Sequence, residues 1–542
     1  MKTSFDPLMQ RYPSQRYPIY ARGGMVNCSS PQAAAAGLEI LRRVGNAMDA
    51  AVAAAAALTV VEPTANGIGA DAFALVWSEK DQRLYGLNSS GPAPALASVD
   101  RVLAEGKDDA GKMPAFGWTP VTVPGAPKAW AELTRRFGRL SLAENVGPAV
   151  KYAREGYPCA PNLALMWQSA FRRYRSVLTD PAFAGWFHTF APEDRAPEAG
   201  DMIFLPDHAN TLEAIGATSA EAFYTGDLAR AMDAESRKFG GYLRYEDLAA
   251  YQAQWVEPIR VSYRGYEVCE IPPNGQGIVA LMALNILKNY DFRDKDPLYM
   301  THRQLEAMKI AFADALATVT DPRYMTTDYH LFLEDSYGRS RASEISETAG
   351  SYSPQPPHKS GTVYLNAADK DGNMISFITS NYMDFGSGIV IKDTGITLQN
   401  RGHDFSLDPK AANYLLPRKR SYHTIIPGFL MKDGKPIGPF GVMGAYMQPQ
   451  GHVQVLMNLL DRGLPPQAAL DLPRWQWIKE KEFLVEPDFD RSLVDALRQK
   501  GHTIRFAEDP YSFGRGQVIW RLENGIYTGG TESRSDGSIV VY

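Results

Sequence analysis

Apolar and polar positions follow different patterns in the two halves of the chain. Up to about residue 340, the spacing of apolar residues mostly predicts helices, with short extended runs between them. Pro31 opens the first helix, because proline favours the first helical position. Further predicted helices cover Ala47–Val61, Pro124–Phe137, Leu142–Arg154, Asp227–Phe239, Tyr245–Tyr251 and Gly277–Asn289, and short predicted strands cover Ala72–Trp77 and Tyr266–Glu270.

The pattern changes over residues 343–360, where SEISETAGSYSPQPPHKS has few apolar residues and three prolines. This composition is typical of an exposed, mobile linker. Beyond it the chain becomes rich in predicted strands. Thr362–Ala368 and Met374–Tyr382 are strand-like, and the Asp371-Gly372 pair between them is a strong hairpin signal. Both runs carry apolar residues on both faces, which predicts a sheet covered on each side.

The predicted hairpin brings a threonine close to polar side chains. If the Asp-Gly pair forms the two-residue turn, Thr362 lies opposite Asn381, with Ser380 and Tyr382 on either side of that partner. Taken alone, Thr362 is more simply explained as a half-exposed threonine on a strand.

The residue before this threonine favours a chemical role. Gly361 ends the linker, and it has no side chain to obstruct attack by the Thr362 hydroxyl on the Gly361 carbonyl carbon. Attack would give an ester by an N→O shift, and hydrolysis would free the threonine amine. That amine titrates at about pH 8 and can accept the hydroxyl proton, so no histidine base is needed. Cleavage would therefore create a nucleophile and its base together.

Composition and motifs argue against several other classes of function. The 542 residues carry a net charge of −5, which gives no reason to expect a nucleic-acid or anionic-membrane partner. Cys28, Cys159 and Cys269 are widely separated, and the nine histidines show no metal-ligand spacing, so no disulfide framework or metal site is predicted. Neither a serine-hydrolase elbow nor a nucleotide-binding loop is found, and no cofactor is predicted.

The N-terminal region and the apolar runs bear on location. The N-terminal residues lack the apolar segment of a secretory signal. The longest apolar run, Ala50–Val61, is far shorter than the roughly 20 residues that span a bilayer. The sequence therefore predicts a cytoplasmic protein without membrane contact. It contains no signal for oligomeric state.

Ordered motifs along nearly the whole chain point to one family. They include GNAMDAAVAAAAALTVVEPTANGIGADAF, TVPGAPKAW, LQNRGHDFSLDP, GVMGAYMQPQGHVQVL and, from Gly361 to Ile391, GTVYLNAADKDGNMISFITSNYMDFGSGIVI. The sequence resembles the γ-glutamyltransferase (glutathione hydrolase) family, in its divergent branch without a signal sequence. The resemblance implies an α+β fold, the αββα sandwich of N-terminal-nucleophile hydrolases, and acyl transfer from γ-glutamyl amides to water or an amine.

The same resemblance implies a zymogen cut at the Gly361–Thr362 bond. Residues 1–361 would form a helix-rich large subunit ending in a flexible linker, residues 343–361. Residues 362–542 would form a β-rich small subunit that carries the nucleophile, and the two would share one catalytic domain. The expected partners are a small-molecule amide and the two fragments of the same chain.

The catalytic roles carry over by position. Thr362 matches the family nucleophile, and Ser380 matches the hydroxyl residue that hydrogen-bonds it. Gly444-Ala445 matches the Gly-Gly pair whose backbone N–H groups stabilise the oxyanion, and alanine keeps the donor if its backbone angles allow. Gly444 is otherwise explained by close packing. Relatives that cleave glutathione have asparagine where Tyr382 stands, whereas this chain has Asn381 one position earlier.

The substrate contacts depart from the family pattern. Asp404 matches the aspartate that binds a substrate amino group, although it could instead cap a turn. The family's carboxylate-binding arginine would fall near Ser90, where this chain has none, and its serine pair is replaced by His423-Thr424. Arg401 replaces a family glutamine; it could bind a carboxylate bidentately or form a surface salt bridge. His423 could orient a substrate or be a satisfied, partly buried histidine.

These departures leave three hypotheses open. The first is a γ-glutamyl amidohydrolase or acyltransferase. The second is a family amidohydrolase for another small carboxylate amide, such as oxamate or a glutaryl amide. The third is a non-catalytic binding protein on the same scaffold, left uncleaved because Ala445 or Tyr382 distorts the site.

Overall fold

Helices dominate the first part of the chain and strands the last. The computed structural model describes residues 16–105, 111–352 and 361–542. Within these ranges the helices are α1 (Pro31–Arg42), α2 (Ala47–Val61), α3 (Val99–Glu105), α4 (Ala126–Phe137), α5 (Leu142–Glu155), α6 (Pro161–Val177), α7 (Ala184–Phe190), α8 (Pro206–Ala217), α9 (Glu221–Tyr224), α10 (Asp227–Lys238), α11 (Tyr245–Ala249), α12 (Gly277–Leu287), α13 (Pro297–Thr318), α14 (Asp335–Glu344), α15 (Met447–Leu460), α16 (Pro466–Asp471) and α17 (Arg491–Gln499). The strands are β1 (Ile19–Ala21), β2 (Gly24–Cys28), β3 (Asp71–Ser78), β4 (Arg83–Ser89), β5 (Tyr157–Pro158), β6 (Met202–Ile203), β7 (Gln254–Val256), β8 (Ile259–Tyr263), β9 (Tyr266–Glu270), β10 (Gly361–Asp369), β11 (Met374–Tyr382), β12 (Gly428–Lys432), β13 (Lys435–Met443), β14 (Trp475–Lys479), β15 (Glu482–Val485), β16 (Thr503–Phe506), β17 (Arg515–Arg521), β18 (Tyr527–Thr531) and β19 (Ser538–Val541).

Two antiparallel seven-stranded sheets form the centre of the fold. The first, called sheet I, has the order β19-β2-β10-β11-β3-β4-β7. The second, sheet II, has the order β1-β18-β17-β13-β12-β9-β8. Each sheet combines strands from before and after the Gly361–Thr362 bond. The two predicted fragments would therefore stay hydrogen-bonded to each other after a cut at that bond.

The sheets pack face to face and each is covered by helices on its outer side. Between them lie apolar side chains such as Phe73 and Ile378 of sheet I and Phe429 and Ile519 of sheet II. Helices α1, α2 and α5 share a second core with sheet I, and α12, α13 and α15 share a third with sheet II. Helix α2 is buried along its whole length, and its alanines let it lie close to β10 and β11. These four layers confirm the predicted αββα architecture.

The β10–β11 hairpin forms as predicted, but its register differs by one residue. Ala368 pairs with Met374, and the four residues 370–373 connect the strands instead of a two-residue turn. The Asp369 carboxylate causes this, because it accepts the backbone N–H of Asp371 at 2.9 Å and of Asn373 at 3.1 Å. A bulge follows between Gly361 and Val363. Gly361 pairs with Tyr382, as in the predicted register, so the shift ends at this bulge, and Thr362 itself lies in the bulge beside that pair.

Part of the predicted linker has defined contacts. Ser343 and Glu344 belong to α14, and the carboxylate of Glu347 pairs with Arg303 at 2.8 Å and Lys500 at 3.0 Å. Composition could not indicate these contacts, because they come from distant parts of the sequence. Residues 353–360 of the predicted linker lie outside the described residues.

Each of the seven predicted helices is observed, but the apolar pattern missed others, including the 22-residue helix α13. Helix α13 was not predicted because His302, Arg303, Glu306 and Lys309 interrupt its apolar stripe, although all four are buried. No helix among the described residues is both long and apolar enough to cross a bilayer.

Candidate active site

The predicted nucleophile lies at the start of β10, in the interior of the molecule. Thr362 is fully buried, so it is not the half-exposed strand threonine that its type alone suggested. Its hydroxyl oxygen lies 3.0 Å from the hydroxyl oxygen of Ser380 on the neighbouring strand β11. The structure thus brings Thr362 and Ser380 into direct contact.

Ser380 also contacts the bond predicted to be cut. Its hydroxyl donates to the carbonyl oxygen of Gly361 at 2.8 Å and accepts the backbone N–H of Tyr382 at 2.8 Å. A serine has a single hydroxyl proton, so with that proton on Gly361 the Thr362 hydroxyl is the donor to Ser380. The chain Thr362–Ser380–Gly361 therefore polarises the carbonyl carbon next to the attacking oxygen.

Gly361 fits where a larger residue would crowd its neighbours. A Cβ atom there would lie 3.1 Å from the Cα of Ala65 and from the carbonyl oxygen of Thr64. A side chain at this position would therefore displace the backbone around Ala65, and the role of Gly361 at a cleavage site stays a prediction.

The predicted oxyanion pair forms the turn between β13 and α15. Gly444 and Ala445 have φ values of +136° and +49°. Ala445 thus adopts a left-handed conformation, at a cost of roughly 1–2 kcal/mol. Gln276 fixes the turn by donating its side-chain amide to the carbonyl oxygen of Ala445 at 2.7 Å. Among the described residues no acceptor meets the Ala445 N–H, which lies just before the positive end of α15.

Arg401 and Asp404 are the first and last residues of a short 3-10 helix. Arg401 is 1% exposed, so the predicted alternative of a surface salt bridge is wrong. Its Nη1 donates to the Thr424 hydroxyl at 2.7 Å and lies 3.5 Å from Oδ2 of Asp404, and its guanidinium stacks 4.1 Å from the ring centre of Tyr382. Its Nε and Nη2, and Oδ2 of Asp404, have no hydrogen-bond partner among the described residues.

Two tyrosines meet the other oxygen of Asp404. The hydroxyl of Tyr382 donates to Oδ1 at 2.5 Å, and that of Tyr446 lies 3.4 Å away. Asp404 therefore does not cap a turn with its side chain. Burial raises the pKa of Asp404, and the charge of Arg401 opposes that rise. Tyr382 itself has a φ of +77°, an uncommon conformation for a non-glycine residue.

His423 has the contacts of a satisfied, buried histidine. Its Nε2 lies 3.0 Å from Oδ2 of Asp71, and its Nδ1 accepts the backbone N–H of Ile425 at 3.4 Å. Burial and the nearby charge of Arg401 keep the pKa of His423 well below its usual value. Burial also raises the pKa of Asp71 to about 7. Asp71 pairs with Ser380 across β3 and β11 and was not predicted, although it lies in the GADAF motif.

The remaining predicted positions are buried as well. The side-chain amide of Asn381 has no hydrogen-bond partner among the described residues, and its backbone N–H donates to the carbonyl oxygen of Ala65. At Ser90, where the family has an arginine, the backbone carbonyl accepts from Nε of Arg420 at 3.0 Å. Arg420 also donates to Gln254 at 3.0 Å, so its guanidinium supports this loop.

A cavity of about 470 Å³ opens beside Gly361. Its lining includes the turn from Gly444 to Tyr446, together with Met383, Asp384, Arg173 and Arg515. Arg401, Asp404 and Thr424 are not among the described residues that line it. Tyr382 packs on Arg401. Tyr446 lines the cavity, and its hydroxyl lies 3.4 Å from Oδ1 of Asp404.

One cluster outside this site has the residue types of a metal site. Ligand atoms of His302, Glu306 and His502 lie within 4.8 Å of one another, a grouping that sequence spacing did not reveal. The ammonium of Lys309 lies 2.6 Å from the Glu306 carboxylate and supplies its counter-charge. His302 bonds Ser346 and Lys309 bonds Gly350, so the cluster anchors the residues after α14.

The αββα sandwich with a threonine at a strand end is the architecture of N-terminal-nucleophile amidohydrolases, which are enzymes. The model of the gamma-glutamyltranspeptidase family matches residues 33–542, and the chain belongs to that family.

Three relatives illustrate the range of the family. The chain is 36% identical to the glutathione hydrolase-like YwrD proenzyme of Bacillus subtilis, over 94% of this chain and 96% of the relative. It is 31% identical to the oxamate amidohydrolase proenzyme of Klebsiella pneumoniae, over 96% and 98%. The crystal structure of cephalosporin acylase from Bacillus halodurans matches with a TM-score of 0.96 and 53% identity, covering 100% of this chain and 99% of that one. Proenzyme relatives imply processing into large and small subunits of one chain.

Removing the Ser380 hydroxyl is expected to slow both maturation and turnover. Ser380→Ala should lower each rate by roughly one to two orders of magnitude, because charge develops on the reacting oxygens in the transition state and a hydrogen bond to a charged group contributes about 1.5–3 kcal/mol. Timed denaturing gels and amidase assays measure the two rates. Ser376→Ala is the matched control, since that buried serine on the same strand bonds Tyr364 at 2.7 Å. Wild-type rates in Ser380→Ala would remove this hydroxyl from the site.

Proposed function

We propose that cleavage after Gly361 frees Thr362 as the nucleophile of an amidohydrolase whose acyl donors carry a carboxylate. The observation that carries this proposal is the hydroxyl chain from Thr362 through Ser380 to the Gly361 carbonyl, at 3.0 Å and 2.8 Å. It supports attack of Oγ1 on the preceding peptide, and later on a substrate amide.

The reaction on a substrate follows from the groups around Thr362. The α-amino group takes the hydroxyl proton as Oγ1 attacks the acyl carbon. The N–H of Ala445 receives the oxyanion, aided by the N-terminus of α15. When the C–N bond breaks, the α-ammonium returns its proton to the leaving nitrogen. Water or an amine then attacks the ester and restores the free threonine.

The Arg401–Asp404 pair supports a carboxylate on the acyl group. Arg401 keeps two unpartnered donors, Nε and Nη2, in a buried place where an unmet donor costs about 1–3 kcal/mol. A substrate carboxylate would satisfy both in a bidentate geometry.

The tyrosine contacts bear on the choice between γ-glutamyl and simpler acyl groups. Oδ1 of Asp404 already accepts the hydroxyl of Tyr382 at 2.5 Å, so only Oδ2 remains for a substrate ammonium. This favours a glutaryl-like donor, which has the same chain length as γ-glutamyl but lacks the amino group. The unpartnered Oδ2 keeps γ-glutamyl as the second candidate.

A panel of anilides that differ only in the acyl group tests the proposal. The cleaved protein should hydrolyse the glutaryl anilide with a kcat/KM roughly tenfold or more above the γ-glutamyl anilide, and further above a neutral butyryl anilide. Oxamate is assayed beside them by ammonia release. Preference for γ-glutamyl would show that Asp404 binds the amino group despite Tyr382. Equal rates on charged and neutral anilides would contradict carboxylate recognition.

A further inference from the structure

Arg515 has the least satisfied guanidinium in the wall of the cavity beside Gly361. It begins β17 opposite Met443, the residue before the Gly444–Ala445 turn, and is 6% exposed. Its Nη1 lies 3.5 Å from Glu62, its Nη2 contacts the thioether sulfur of Met166 at 2.5 Å, and its Nε has no hydrogen-bond partner among the described residues. A thioether is a weak acceptor, so the guanidinium of Arg515 can still bind a stronger hydrogen-bond acceptor.

The proton path decides which part of a substrate enters this cavity. The α-amine of Thr362 must reach the leaving nitrogen to protonate it, so the leaving group lies on the amine's side of the acyl carbon. In the uncut chain that side is occupied by Gly361, which lines the cavity together with Arg515. Once Gly361 is released, the leaving amine of a substrate takes its place.

We propose that Arg515 binds a carboxylate on the leaving-amine portion of the substrate. This inference rests on the proposed function and extends it with a specificity-determining residue for the leaving group. The two carboxylates have separate guanidinium partners, Arg401 for the acyl group and Arg515 for the leaving group.

The charges around Arg515 leave it available to an anion. Glu62 is its nearest carboxylate, and the hydroxyl of Ser29 also bonds that group. Burial raises the pKa of Glu62 to about 7, with Arg515 and Ser29 opposing the rise, so Glu62 carries less than a full charge at neutral pH. The other cation in the lining, Arg173, is already paired with Asp384. Arg515 is therefore the more available of the two.

Two glutaryl anilides with matched leaving groups test the inference. Glutaryl 4-nitroanilide has a neutral leaving group, and glutaryl 3-carboxy-4-nitroanilide carries the additional carboxylate. Arg515→Met should lower kcat/KM about 10- to 100-fold more for the carboxylated substrate than for the neutral one. Arg515→Lys should recover part of that preference. Arg521→Met is the matched control, because Arg521 lies on the same strand but pairs with Glu79. Equal losses on both substrates would assign Arg515 a structural role.

A binding measurement on the wild-type protein tests the inference even if the Arg515 variants fail to fold or mature. The free products 5-amino-2-nitrobenzoate and 4-nitroaniline differ by the same carboxylate, and calorimetry on cleaved wild-type protein gives their affinities. The carboxylated amine should bind about tenfold or more tightly; equal affinities would overturn the inference. Because this binding needs no turnover, lack of activity on every anilide would count against the proposed function alone.

Discussion

Thr362→Ala is expected to give a single uncut chain of 59.8 kDa without amidase activity. The wild type should instead separate on a denaturing gel into residues 1–361 and 362–542, and the smaller fragment should begin Thr-Val-Tyr-Leu. Both losses have one cause in the proposed mechanism, in which the same hydroxyl attacks Gly361 during maturation and the acyl carbon during turnover. Thr362→Ala should have the largest effect of any single substitution, because it removes the nucleophile that forms the acyl-enzyme.

Conservative and neighbouring variants separate chemistry from folding. Thr362→Ser keeps both the hydroxyl and the future α-amine, so it should still mature and turn over substrate. Thr379→Ala removes another buried hydroxyl from the same hairpin, one that bonds Asn66 at 2.9 Å, and should leave cleavage in place. A fragment beginning at any residue other than Thr362 would contradict the assignment, as would cleavage of Thr362→Ala. An uncut wild type would favour the non-catalytic scaffold considered from the sequence.

Local sequence signals predicted the elements around the site better than its exact geometry. The Asp-Gly pair and the apolar runs identified β10 and β11, and β11 has the predicted bounds Met374–Tyr382. The register failed because Asp369, just before the turn, captures two backbone N–H groups with its side chain. Turn statistics describe the two central residues and do not include such a carboxylate. Ser380 still reaches Thr362, since the bulge after Gly361 absorbs the shift.

Contacts between distant segments were beyond local patterns. The local sequence around Arg401 left two roles open, a carboxylate-binding side chain and a surface salt bridge. Arg401 is buried against Tyr382, Thr424 and Asp404. These contacts form only when β11 and the loops that follow it come together. Nothing in the sequence around Arg515 indicated its place in the cavity wall, because its partners Glu62 and Met166 lie 453 and 349 residues away in the sequence.

Arg401→Ala is expected to raise KM by tens- to hundreds-fold for carboxylate-bearing amides and much less for neutral ones. A charge-assisted bidentate pair in a partly desolvated pocket contributes about 2–4 kcal/mol, and alanine removes both donors that face the acyl group. Steady-state kinetics on the glutaryl and butyryl anilides measure the difference. Arg401→Lys should restore the preference only in part, since an ammonium cannot reproduce the planar fork.

Burial of Arg401 means that its loss also affects stability, and the controls must separate the two effects. Removing this cation leaves Asp404 without its nearest counter-charge, and breaking a buried pair typically costs about 3–5 kcal/mol. Arg401→Gln is a gentler variant, because the γ-glutamyltransferase family has glutamine there. Arg420→Gln is the matched control: Arg420 is also a buried arginine near the site, but its described donors meet Ser90 and Gln254. It should affect charged and neutral substrates alike. If the Arg401 variants do the same, Arg401 serves the fold and another group must recognise the acyl carboxylate.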